Sequence, residues 1–410
     1  MNYRLACVFL FAVRASCLAD GVGRPFPQHT TYTAGSILPK KERSELDSAT
    51  ADFYRVWKKR YFQAGCEPGQ AYIFCNLEKA AAEKNTISVS EGHGYGMMLM
   101  AYFAGSDPQA QASFDQLYAF FRAHPSRFNR DLMAWQQRKG CVEQQGDDDS
   151  ATDGDFDIAY ALLLADRQWG SAGAINYRAE ALKVIAALKS GDLNPAVPSI
   201  KLGDWAQEKA ELTDSRLSDF MPSHFRSFSV ASGDPIWESL GNAGYKLIER
   251  IQTERSPDAG MIPDFARKVD SDSPVPAGKK FMESAHDGEY FYNACRCPFR
   301  IGVDYLLHGE PRAHAIVGRL DTFIERVTNG DPDAVCSGYT LAGKIIRDDD
   351  TSLAFTAPFA VAAMCDPASQ KWLDALWEKL VRTPAQEDEY YGNTIKLLCM
   401  LVASGNWWEP

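Results

Sequence analysis

The residues best suited to chemistry are carboxylates in unusual company. Glu91 lies in Ser90-Glu91-Gly92-His93-Gly94-Tyr95-Gly96, one acid among three glycines at the head of an apolar run. Ser90 suits the N-cap of a helix starting there, and a solvated acid near a helix N-terminus is ordinary. The glycines also allow close approach of a bulky substrate, and on that reading Glu91 is a general acid. A second constellation, Asp153-Gly154-Asp155-Phe156-Asp157, alternates three carboxylates just before another apolar run. Alternating aspartates open calcium loops, but Leu164 stands where such a loop needs a bidentate Glu. A plain acidic helix start, favoured by the helix dipole, is the other ordinary reading of this segment. His93, inside the first segment, reads as a structural histidine rather than a pH-tuning group.

Composition narrows the field. The 410 residues are 45% hydrophobic and 12% aromatic, which describes a folded globular protein. A formal net charge of -11 argues against a nucleic-acid partner and is compatible with a neutral or cationic substrate. Residues 1–19 read as a signal peptide, with Arg4 before the apolar stretch Leu5 to Val13 and small residues near Ala19. That stretch is too short to span a bilayer and no later run is long enough, so a secreted or periplasmic monomer without a membrane partner is expected. Ten cysteines are present, two of them (Cys7 and Cys17) in the signal. Cys66 and Cys75 bracket a short loop with Pro and Gly and form the expected disulfide. No Cys/His cluster has zinc spacing.

Helical periodicity recurs about twelve times between Leu46 and Ala403. Leu46, Ala49, Phe53 and Val56 fit one helix face. Very apolar segments such as Ile158–Leu164 and Phe355–Ala363 alternate with amphipathic ones such as His314–Val327 and Gln370–Leu380. Alternation of enclosed and surface helices predicts a closed double ring of helix pairs, a single all-α domain over residues 44–410. Residues 20–43 are polar with prolines and read as an exposed lead-in. The one long irregular stretch, Pro257 to His286, is expected to be functional.

Taken together, these segments resemble glycoside hydrolase family 8. Ala151-Thr152-Asp153-Gly154-Asp155-x-x-Ile158-Ala159-x-Ala161-Leu162-Leu163-x-Ala165 is similar to the family signature, and Ser90-Glu91-Gly92-x-Gly94-Tyr95-Gly96-Met97 to its general-acid segment. Leu132-Met133-Ala134-Trp135, Ser218-Asp219-Phe220-Met221-Pro222, Tyr292-Asn293-Ala294-Cys295-Arg296-x-Pro298-Phe299-Arg300 and Ser404-Gly405-Asn406-Trp407-Trp408 follow in family order. The resemblance implies an (α/α)6 barrel and an inverting mechanism without metal or cofactor. Glu91 matches the proton donor and Asp153 the carboxylate that binds the distorted sugar. Many members carry Asp at the position of Asn293. An amide cannot serve as a general base, but one branch with Asn there takes its base from a loop Glu, and Glu283 matches that position. Glu289 and Asp287 are its close rivals. Trp135, Tyr292 and Tyr391 are candidate sugar-stacking residues, and Asn293 and Arg296 candidate polar contacts in the same cleft.

The implied activity is that of a secreted inverting endo-β-1,4-glucanase acting on cellulose or mixed-linkage β-glucan. Chitosan is the alternative substrate, because an acidic protein would attract that cationic polymer. Asn293 also admits a second class of function, a non-catalytic glycan-binding accessory protein that has lost its base.

Overall fold

Burial divides the helices into two kinds that alternate along the chain. The computed structural model describes residues 22–75, 85–347, 350–386 and 389–410. Among these residues twelve α-helices follow one another: α1 (Arg43–Tyr61), α2 (Ser90–Tyr102), α3 (Ala110–Ala123), α4 (Thr152–Trp169), α5 (Tyr177–Gly191), α6 (Pro222–Ser232), α7 (Ile236–Arg255), α8 (Cys297–His308), α9 (Pro311–Thr328), α10 (Leu353–Ala363), α11 (Gln370–Arg382) and α12 (Tyr390–Ala403). Nearly every side chain of α2, α4, α10 and α12 is buried, whereas α3, α7, α9 and α11 bury only a stripe. A helix apolar all round has to be enclosed, and a striped one can lie at the surface.

The even-numbered helices therefore form an inner ring, each packed on the next from α2 to α12. Each inner helix is backed by an outer one: α3 on α2, α5 on α4, α7 on α6, α9 on α8, α11 on α10 and α1 on α12. The ring closes where α12 meets α2, so tightly that a Cβ on Gly92 would lie 2.1 Å from the Tyr390 hydroxyl. The result is an (α/α)6 barrel in one domain, the architecture expected from the helix alternation. The buried face of α1 runs through Leu46, Thr50, Phe53 and Trp57, and Val56 lies one step off it at 47% exposed. Among the described residues no helix is long and apolar enough to cross a membrane.

One end of the barrel is sealed by residues 23–37. Helix C-termini carry carbonyls without intrahelical partners. Backbone N–H groups of Gly23, Phe26, Thr30, Thr33 and Ile37 donate to Gln168, Ala104, Gly405, Leu306 and Met364 at 2.7–2.9 Å, one at or just beyond the end of each of α4, α2, α12, α8 and α10. Phe26 is buried and stacks on Phe103. The segment expected to be an exposed lead-in is thus laced across the floor. The expected signal peptide lies outside the described residues.

The cysteine pairing differs from expectation. Cys66 is joined to Cys141, with Cα atoms 6.0 Å apart, and Cys75 is a buried free thiol. The strands β1 (Phe62–Ala64) and β2 (Ala71–Ile73) form a hairpin with Phe62 opposite Ile73. Cys66 sits at its tip, while Cys75 follows its open end into the core, which separates the two.

Candidate active site

The other end of the barrel gathers the N-terminal ends of the inner helices, and the acidic motifs come with them. Strand β3 (Thr86–Val89), paired antiparallel with β4 (Gln136–Arg138), leads directly into α2. Ser90 is the first residue of that helix rather than its cap; Val89 occupies the cap position and no side chain caps it. Glu91 is thereby left free of a capping role. The glycines around it serve helix packing rather than substrate access. A Cβ on Gly94 would lie 2.6 Å from the Asp157 Cβ on α4, and one on Gly96 would lie 2.3 Å from Ile73.

A buried guanidinium organises the carboxylates. Arg296 is 0% exposed, so the cleft contact expected of it is replaced by a position beneath the acids. Its Nη1 donates to Glu91 Oε2 at 2.7 Å and to Asp153 Oδ2 at 2.6 Å. Its Nη2 donates to Ser218 Oγ at 2.6 Å and to Asn293 Oδ1 at 3.1 Å. The two acids respond in opposite directions. Burial is the largest influence on Glu91 and pushes its carboxyl up to about 7; Arg296 opposes the rise and Asp153 adds to it. Burial would raise Asp153 as well, but Arg216 and Arg296 outweigh it and hold that carboxyl down at about 2. Near neutral pH this is a carboxyl able to hold or release its proton beside one that stays ionised. The three alternating aspartates diverge around α4: Asp155 accepts the Met133 N–H at 2.8 Å, and Asp157 pairs with Arg300 and His224. A calcium loop would have to bring them together.

On the far side of Asn293 stands Glu283, in the long irregular segment. That segment is anchored by a three-stranded antiparallel sheet of β5 (Ser215–Arg216), β6 (Phe265–Arg267) and β7 (Val275–Pro276). Phe281 packs against Phe265 beside Leu202 and Ala277. The Glu283 side chain is 44% exposed and gripped from two sides. Arg216 Nη2 donates to Oε1 at 3.1 Å and Asn293 Nδ2 to Oε2 at 2.8 Å. Its sequence rivals are occupied elsewhere. Asp287 is fully buried and accepts the backbone N–H groups of Met282, Glu283 and Ser284 at 2.7–3.0 Å, which shapes the turn carrying Glu283. Glu289 accepts the Leu341 N–H at 2.7 Å. Glu91 and Glu283 thus sit at opposite ends of one chain of contacts running through Arg296 and Asn293.

The three aromatic candidates are half-buried at the same end. The Trp135 carbonyl accepts the Ser90 N–H at 2.9 Å, and its indole N–H donates to Gly146 O at 2.7 Å. The Tyr391 hydroxyl donates to Tyr292 O at 2.8 Å, and that of Tyr292 to Asp350 at 3.0 Å. His93 is buried against Phe120 with Nε2 on Leu117 O at 2.8 Å, and burial lowers it to about 4, so its role is structural.

Comparison with known proteins places this arrangement. Residues 34–405 match the family described as Glycosyl hydrolases family 8. The chain belongs to glycosyl hydrolase family 8. It is 39% identical to a beta-glucanase of Niallia circulans over 98% of this chain and 96% of that one. It is 36% identical to an endoglucanase of Bacillus sp. strain KSM-330 over 94% of this chain and 82% of that one. The apo structure of a beta-1,3-1,4-glucanase from Paenibacillus sp. X4 superimposes with a TM-score of 0.89 at 40% identity, covering 95% of this chain and 100% of that one. The family 8 protein is therefore a glycoside hydrolase with a polysaccharide substrate, and the reading as a non-catalytic accessory protein is set aside.

Three more charged residues surround these groups, of which only Asp219 stands in a motif read from the sequence. Arg216 lies 3.5 Å from Asp153 and 3.7 Å from Asp219 as well as touching Glu283. Asp219 is fully buried, neither of its oxygens accepts a hydrogen bond, and burial above all raises its carboxyl to about 8. Asp264 is buried under Asn293, and burial lifts it to about 7 against the pull of the Ala294 N–H. Only adjacency to Ser218-Asp219 in the motif could have pointed to Arg216. Asp264 stands in the irregular segment, where nothing distinguishes it from its polar neighbours.

Proposed function

We propose that this protein is an exported, inverting endo-β-glucanase that cuts β-1,4 bonds in mixed-linkage β-1,3-1,4-glucan or cellulose. Glu91 is the general acid: it gives its proton to the bridging oxygen as the bond to the anomeric carbon breaks. Glu283 is the general base: it takes a proton from water, whose oxygen attacks the same carbon from the opposite face. Asp153, kept ionised by two arginines, binds the distorted sugar and supports the positive charge that develops on its ring. The observation that carries the reading is the contact chain Glu91–Arg296–Asn293–Glu283, which holds two carboxyl groups apart and gives them different surroundings. An inverting pair needs roughly 6.5–9.5 Å between its carboxyls to admit the water. The glucanase names of the relatives favour β-glucan over chitosan. Trp135, Tyr292 and Tyr391 offer flat faces to pyranose rings, and no step calls on a metal or cofactor. The leader-like residues 1–19 support export, and the protein acts as a monomer.

The test is a parallel digest of lichenan, carboxymethyl cellulose, xylan and chitosan, with product sizing and NMR of the fresh products. The expected result is rapid shortening of lichenan and a first-formed α anomer. Cleavage of chitosan alone would replace the substrate assignment, and a first-formed β anomer would exclude inversion.

A further inference from the structure

Asn293 has two chemically different ends, and its surroundings distinguish them. The amide NH2 faces two carboxylates: Glu283 Oε2 at 2.8 Å and Asp264 Oδ2 at 3.5 Å. The amide oxygen faces the Arg296 guanidinium at 3.1 Å. Turned over, the amide would set its oxygen against both carboxylates and its NH2 against the cation. A carboxylate at position 293 would stand against Glu283 and, whenever it is ionised, against Asp264. Asp264 is built to enforce this choice. It is 2% exposed, and its Oδ1 accepts the backbone N–H groups of Phe291, Asn293 and Ala294 at 3.0, 3.2 and 2.7 Å. Those bonds fix both the carboxylate and the turn that carries Asn293, leaving Oδ2 toward the amide.

We propose that Asp264 is a positioning residue of the hydrolytic centre: it acts through Asn293, fixing that amide so its NH2 holds Glu283 while its oxygen is held by Arg296. The base loop is thereby tied to the guanidinium that carries the acid. The inference rests on the reading of Glu283 as the base. It also accounts for an amide, rather than an acid, at position 293 in a chain that has Asp264 beneath it and a glutamate above it.

The experiment is a double-mutant cycle on the full chain: wild type, D264N, N293A and D264N/N293A, with kcat and KM on lichenan and thermal unfolding of each. Asp264→Asn keeps an oxygen for the backbone N–H groups but turns an NH2 toward Asn293. D264N is expected to lower kcat roughly 10–100-fold with KM changed by less than about twofold. The double variant is expected to be as slow as N293A alone, because the effect of Asp264 requires the amide. Losses that multiply, or a D264N enzyme within about twofold of wild-type kcat, would overturn the proposal. If D264N does not fold, D264S, which keeps a hydroxyl acceptor, replaces it with the same expectation. E283Q is assayed alongside. An unimpaired E283Q removes the base assignment, whereas multiplying losses in the cycle remove only the role of Asp264.

Discussion

Two arginine–aspartate rungs, one helical turn apart, join α4 to the start of α8. In the lower rung Arg300 donates to Asp157 with both terminal nitrogens, and His224 Nε2 completes the set at 2.9 Å. In the upper rung Arg296 meets Asp153 at 2.6 Å but divides itself further among Glu91, Ser218 and Asn293. Both rungs are buried and both use the same residue types. In the lower, Arg300 gives its hydrogen bonds to one carboxylate, whereas in the upper Arg296 serves two carboxyls of opposite tendency. Neither burial nor charge alone therefore marks the carboxyls proposed for catalysis. The mark is a third carboxyl, Glu91, sharing the cation incompletely enough that burial decides its protonation.

The comparison can be broken most severely at that third carboxyl. E91Q is expected to lower kcat on lichenan by about 10²–10⁴-fold without loss of fold, and E283Q by a similar factor, as measured by reducing-end release. An E91Q enzyme within about tenfold of wild type would remove the distinction between the rungs. D153N sharpens it by roughly 10–100-fold in kcat, with a directional signature. Asp153 raises Glu91, and its loss also frees Arg296 to favour the Glu91 anion, so both effects lower the pKa of the acid. The wild-type alkaline limb of kcat/KM should fall near pH 7, and in D153N it should move to lower pH. A limb that moves upward would contradict the assignment.

At the lower rung the expectation reverses. D157N leaves Arg300 buried with its charge unmatched, which costs about 3–5 kcal/mol in denaturant unfolding, while the folded fraction keeps kcat close to wild type. A D157N protein of normal stability but reduced kcat would show that the lower rung also takes part in chemistry. The smallest change in activity belongs to the Cys66–Cys141 bridge, far from either rung in kind. C66A/C141A is expected to lose about 2–4 kcal/mol of stability with little effect on turnover of the folded enzyme.

Much of this was legible from residue order. Twelve apolar periodicities were enough for the barrel, because enclosed helices lack a polar face and surface helices need one. Glu91, Asp153 and Asn293 stand in motifs whose spacing brings them to helix starts. What pattern could not supply was contact between distant segments. Arg296 reads as a cleft residue from its spacing to Asn293, yet four neighbouring side chains enclose it. The glycines after Glu91 read as room for a ligand, yet Tyr390, α4 and Ile73 fill that room. Cys66 pairs across 75 residues rather than nine, because a hairpin places the nearer thiol at its other end.

The lacing at the floor has a practical consequence for anyone redesigning the enzyme. Sequence composition invites a trimmed version beginning near Arg43, since the preceding stretch looks dispensable. Such a version would strip hydrogen bonds from the ends of five inner helices at once and uncover the ring of Phe103. A purification handle or fusion partner joined immediately upstream of Gly23 would press on the same seam.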